Sequence, residues 1–135
     1  MHLPACLEAM RELERRTGKG LEFDKSYDLI RAAAARGRFL SYKELADASG
    51  ADWNQVHYAM NGHLWGLVVY SHHKGWPMLS AVVVNKANVA TGDMDPTTLK
   101  GFVAAAQVLG YTVHDEVAFL REQQHRVFEW ARVPV

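Results

Sequence analysis

A mainly α-helical chain with a small β-sheet, an α+β class, follows from three observations on these 135 residues. Apolar residues recur at three- and four-residue spacing through most of the chain, the period of a helix. Capping residues stand ahead of most of those runs and glycines follow them. One segment, residues 78–84, is instead continuous, apolar and β-branched, which is the signature of a buried strand. With 49% apolar and 22% charged residues the composition is that of one globular domain rather than a disordered chain.

The elements follow in order. Residues 3–16 read as an amphipathic helix with Leu3, Leu7, Met10 and Leu13 on one stripe, stopped by Gly18 and Gly20. Asp24 or Ser26 caps a second helix, whose inward set is Tyr27, Ile30, Ala33 and Ala34, and Gly37 ends it. Ser41 with Glu44 three residues on is a capping box for a short third helix through Leu45 and Ala46 to Gly50. Asp52 caps a fourth over 53–60, with Val56, Ala59 and Met60 on one face. Gly62 and Gly66 predict a kink or break before residues 64–73. Pro77 closes the helical region, 78–84 is the strand and 85–94 a loop. Asp95-Pro96, an N-cap and a first-position proline, opens a helix through Phe102, Ala105 and Val108 to Gly110. His114-Asp115-Glu116 starts the last, with Val117, Leu120, Val127 and Phe128 inward.

Charge narrows the function classes. Fifteen basic and fifteen acidic side chains balance to zero, which excludes a polycation that holds nucleic acid by bulk charge. The balance is uneven along the chain: residues 53–92 contain no Asp or Glu, yet hold Lys74, Lys86, His57, His63, His72 and His73. Either this stretch is buried, or one face is kept free of carboxylates for an anionic partner. A single cysteine, Cys6, makes no internal disulfide, and no signal-peptide pattern opens the chain, so a cytoplasmic setting is expected. The longest apolar run, residues 64–70, is far short of the roughly 18 residues of a membrane span.

Residues 41–61 have the layout of a helix-turn-helix: a helix with small and apolar inward residues, a Gly50 turn, then a helix rich in Asn, Gln, His and Tyr. Asn54, Gln55, His57, Tyr58 and Asn61 can reach base edges, since amides bond bidentately with adenine. Arg36, Arg38, Lys43, Lys74 and Lys86 are the only basic residues at hand for phosphates, with Arg38, Lys43 and Lys86 the candidates.

The same stretch resembles the winged helix-turn-helix domain of the O6-alkylguanine-DNA alkyltransferases and alkyltransferase-like proteins. The likeness covers residues 27–62 and stands on Tyr27, Gly37, Ser41-Tyr42-Lys43-Glu44-Leu45-Ala46, Gly50, and Gln55-Val56-His57-Tyr58-Ala59-Met60-Asn61-Gly62. It implies that Tyr42 contacts a phosphate of bound DNA. It does not imply the family's chemistry: where the reactive Pro-Cys-His-Arg motif belongs, the nearest counterpart is Pro77-Met78-Leu79-Ser80, and a thioether forms no thiolate. Asn54 stands where the family carries the arginine that fills the vacated base stack, so base flipping is not implied either. Residues 77–86, followed by Gly101-Phe102, resemble a motif of small bacterial and phage proteins that implies no activity.

The expectation is one domain over 1–135: an N-terminal helix (1–20), a winged-helix-like centre (24–86) and a C-terminal helical pair (95–135). Its expected role is salt-sensitive DNA binding without catalysis, cofactor or metal. Two other readings stand beside it. One is a protein-interaction module using Trp65, Trp76 or the N-terminal helix as anchors. The other is a His-dependent metal hydrolase or nuclease built on His72-His73 and Asn85, although no histidine pair has the i,i+4 spacing with a nearby acid of a helical zinc site.

Overall fold

The computed structural model describes residues 20–133 and is mainly α with one small sheet. The helices are α1 (Phe23–Ala35), α2 (Tyr42–Ala48), α3 (Trp53–Val56), α4 (Met60–His73), α5 (Pro96–Val108) and α6 (Glu116–Arg132). Two strands, β1 (Leu40–Ser41) and β2 (Val83–Val84), pair in parallel with Leu40 opposite Val83 and Ser41 opposite Val84. The predicted first helix lies outside the described residues.

The centre of the core is the run Met78, Leu79, Ala81, Val82, Val83 and Val84, all buried. Helices α4 and α6 flank it, and α1 packs mainly against α6. The predicted strand over 78–84 shrinks to two residues because β1 offers only two residues to pair with. Leu79–Val82 instead forms a 3-10 turn, and α6 side chains satisfy part of the remaining backbone. Gln123, buried, accepts from the Met78 amide at 3.0 Å; Gln124, also buried, donates to the carbonyls of Ala81 (3.0 Å) and Gly92 (2.8 Å). Arg121 extends this strap by donating to Thr91 O at 2.9 Å and pairing with Asp93. No β-hairpin follows the helix-turn-helix among the described residues, so the small sheet is not a hairpin wing.

Several local expectations are corrected. Helix α1 starts at Phe23 with neither Asp24 nor Ser26 as its cap. Ser26 is buried inside it, with its hydroxyl 2.8 Å from His63 Nε2 of α4. Helix α4 runs unbroken through Gly62 and Gly66, and the interruption comes earlier, as a 3-10 turn at His57–Ala59. Each interior glycine costs a helix about 1 kcal/mol, and burial of Leu64, Leu67 and Val68 outweighs it. Ala59 is exposed rather than inward, and so is Val117. The capping box of Ser41 and Glu44 forms as expected, as do the caps of Asp52, Asp95 and Asp115.

Gly92, at φ +77°, turns the loop back under the Phe39 ring, and a Cβ there would collide with that ring. Gly50 has φ +71° but open space around it. Gly92→Ala should therefore lose about 3 kcal/mol of stability, from backbone strain plus displaced packing, and Gly50→Ala only about 1 kcal/mol, from strain alone. Urea denaturation of the two variants checks the difference.

Candidate functional site

The helix-turn-helix is built locally. The Ser41 hydroxyl accepts from the Glu44 amide at 3.2 Å while Glu44 accepts from the Ser41 amide at 2.7 Å, which fixes the start of α2. After the Gly50 turn, Asp52 accepts from the Asn54 amide at 3.0 Å and starts α3. Leu45, Ala46, Val56 and Met60 are buried, which holds the two helices together.

The predicted DNA-contact residues divide into separate groups. Asn54, Gln55, His57 and Tyr58 are exposed on α3 and the turn after it, with Tyr58 at 80% exposure. Arg38 and Lys86 are exposed, while Lys43 is bound to both carboxylate oxygens of Asp47 at 3.3 and 3.1 Å. Tyr42 and Asn61 face elsewhere: both line a cleft between α4 and α5.

That cleft encloses about 460 Å³, within the range of small-ligand and side-chain pockets. Helix α4 contributes Asn61, Leu64, Trp65 and Val68 to one wall. Helix α5 contributes Thr97, Thr98, Gly101, Phe102 and Ala105 to the other. Val83 and Ser80 of the central run, with Met94 and Tyr42, complete the lining. No Lys or Arg is among them. Trp65 is 39% exposed, so a large aromatic face is open to whatever enters.

Beside the cleft, next to the lining residues Met94 and Thr98, a hydrogen-bond network centres on Asp95, which is not itself part of the lining. Its carboxylate accepts from the Thr98 amide at 2.8 Å and from the Asn85 side-chain amide. Hydrogen bonds from the Thr98 backbone and then its side chain hold Asp95 below the usual carboxylate range. Tyr42 moves the other way: burial first, then the negative charge of Asp95, push its phenol above the ordinary value, against the pull of a hydrogen bond from Thr98.

Burial accounts for much of the acid-free stretch. Val56, Met60, His63, Leu64, Gly66 to Val68, Ser71 and most of 78–84 are inside the protein. Trp76 is half-buried, 5.1 Å from the Trp130 ring and 5.7 Å from those of Tyr27 and Tyr70. Of the histidines, His63 is buried while His57, His72 and His73 are exposed. No three His, Cys, Asp or Glu side chains gather as a metal site among the described residues. None of the described helices is long and apolar enough to cross a membrane.

Sequence reasoning missed Ser80, Thr97, Thr98, Gly101 and Phe102 as site residues. The available signal was Gly101, a glycine in the middle of a helix without a turn to explain it. Comparison with known proteins finds no matching family model, no matching curated protein and no matching solved structure. The functional reading therefore rests on the chain's own residues.

The raised phenol predicts a titration. In an alkaline scan at the phenolate absorbance band, the component that Tyr42→Phe removes should ionise above the ordinary tyrosine value. Because the folded value is raised, this group's contribution to stability is complete below the unfolded value and is lost as pH rises through the folded one. Asp95→Asn should lower the Tyr42 value only in part, since burial is the larger cause.

Proposed function

We propose that this chain is a binding module whose α4–α5 cleft receives an apolar side chain of a partner protein. The observation that carries this reading is the wall of the cleft at Gly101. An added Cβ there would meet nothing within 4 Å, so close packing does not require a glycine, yet one sits inside α5 at a cost of about 1 kcal/mol. Its effect is to widen a cleft already lined by Leu64, Trp65, Val68 and Phe102. A recessed apolar pocket with one exposed tryptophan is the form that anchor sites take at protein interfaces. The absence of Lys and Arg from the lining among the described residues counts against a nucleic-acid backbone there. The single cysteine is in keeping with a cytoplasmic setting.

Gly101→Ala should raise stability by about 0.5–1 kcal/mol, because it removes a helix-interior glycine without a clash. The same change should weaken binding of the neutral probe acetyl-Phe-Gln amide, and Gly101→Leu should abolish it. NMR titration following the Trp65 indole N–H reads the binding. If the wild-type indole does not move with probe, or moves equally in Gly101→Leu, the cleft is not the binding site.

A second reading, DNA binding, is favoured by the exposed row Asn54, Gln55, His57 and Tyr58 at the start of the second helix of the helix-turn-helix. Lys43 would have to leave Asp47 to reach a phosphate. Fluorescence anisotropy with a duplex should then show modest affinity that falls steeply with salt and is lost in the Arg38→Gln, Lys43→Gln double variant. Binding that ignores salt, or no binding at all, sinks this reading.

A further inference from the structure

Resting on that reading of the cleft, we propose that its occupant is Tyr58 of a second copy of this chain, the two copies exchanging tyrosines across a two-fold axis. Anchor and pocket lie side by side. Of the Phe, Trp and Tyr side chains among the described residues, only Tyr58, at 80%, and Trp65, at 39%, are exposed. Tyr58 stands three residues before Asn61 and seven before Trp65, both in the cleft lining, yet it is not itself part of that lining. Its ring neighbour is the exposed His57, at 6.1 Å. An anchor beside a pocket and outside it is what a closed pair needs, because each copy then supplies one of each and the same contact forms twice.

Charge complementarity favours a second copy. From residue 53 to residue 73 the chain has no Asp, Glu, Lys or Arg. The exposed members of that run, Asn54, Gln55, Tyr58, Asn61 and Trp65 among them, make a surface from α3 to the cleft edge that is uncharged apart from its histidines. In a two-fold pair the surface near the axis meets itself, so a fixed charge there would face its own like charge. A face without fixed charge is complementary to itself. The cleft lining is uncharged as well, and nothing in it calls for an ion on the occupant. Few charges together with Tyr and Trp is also the composition of interface centres.

The cleft suits a phenol. Trp65 and Phe102 offer aromatic surface to its ring, and the volume of about 460 Å³ has room for one. Gly101 leaves the α5 wall open beside them. A phenol entering an apolar site also brings a hydroxyl that needs a partner once buried. The lining holds neutral ones, the Asn61 amide and the hydroxyls of Ser80 and Thr97. Each cleft is thus completed by its neighbour's tyrosine.

Sedimentation velocity of the full chain over a concentration series should show a monomer–dimer equilibrium, and the Trp65 indole N–H should shift as the dimer forms. Tyr58→Ala and Gly101→Leu should each weaken the dimer about 100-fold, roughly ten-fold for each of its two contacts. Both positions are exposed, and thermal melts confirm that the variants fold. Mixing the two variants is the decisive arm. The Gly101→Leu copy still presents Tyr58 and the Tyr58→Ala copy still has an open cleft, so their heterodimer keeps one contact of the two. It should form about ten-fold more tightly than either variant pairs with itself. Acetyl-Phe-Gln amide should compete with the dimer and return the wild type to monomer. A chain that is monomeric throughout, a dimer untouched by Tyr58→Ala or by the peptide, or a mixture no tighter than its parts overturns the assignment to a second copy and leaves the cleft to another protein. The cleft reading fails on a separate result, a Trp65 indole that does not move when the peptide is added to Tyr58→Ala.

Discussion

Residues 78–84 pass through the middle of the protein, and their backbone amides and carbonyls must find partners there without water. A two-residue strand and one 3-10 turn satisfy only part of that need. Part of the rest falls to two adjacent glutamines on α6: Gln123 takes the Met78 amide, and Gln124 bonds the Ala81 carbonyl and that of Gly92 in the following loop. These side chains hold α6 in one register against the core. Leaving any of these groups orphaned would cost roughly 1–3 kcal/mol, a large share of the stability of a domain this size.

The cleft depends on this arrangement. Gln124 and Arg121 tie down the loop that carries Gly92 and Asp93, and that loop delivers Met94 to the cleft. Val83, pinned by the short sheet, forms part of its lining. Tyr42 enters from the first residue of α2, placed there by the Ser41–Glu44 capping box. The lining is therefore set by different elements, meeting only because the central run is held in place.

The capped elements were legible in the sequence. Ser41 with Glu44, Asp52, Asp95 with Pro96, and Asp115 each act through bonds to residues two or three positions away, so local spacing was enough to find them. The site was much less legible. Tyr42, Trp65 and Asn61 were singled out, but for reasons that assigned them to different surfaces. Ser80, Thr98 and Gly101 are unremarkable as neighbours in sequence and acquire a role only across the gap between α4 and α5.

The same division explains the uneven charge. Zero net charge and a forty-residue stretch without Asp or Glu are properties of the sequence, as are the helical period and the caps. Whether that stretch is a positive face or an interior is not local, because it depends on which helices close over it. Packing buried most of 78–84 and part of α4, left both lysines and three of the four histidines of the stretch exposed, shortened the strand to what β1 could pair, and set Trp76 against Trp130 while leaving Trp65 at an open cleft. The physical reason is range: a cap or a period acts over a few residues of chain, whereas burial and unpaired charge are set by neighbours that only the folded chain brings near.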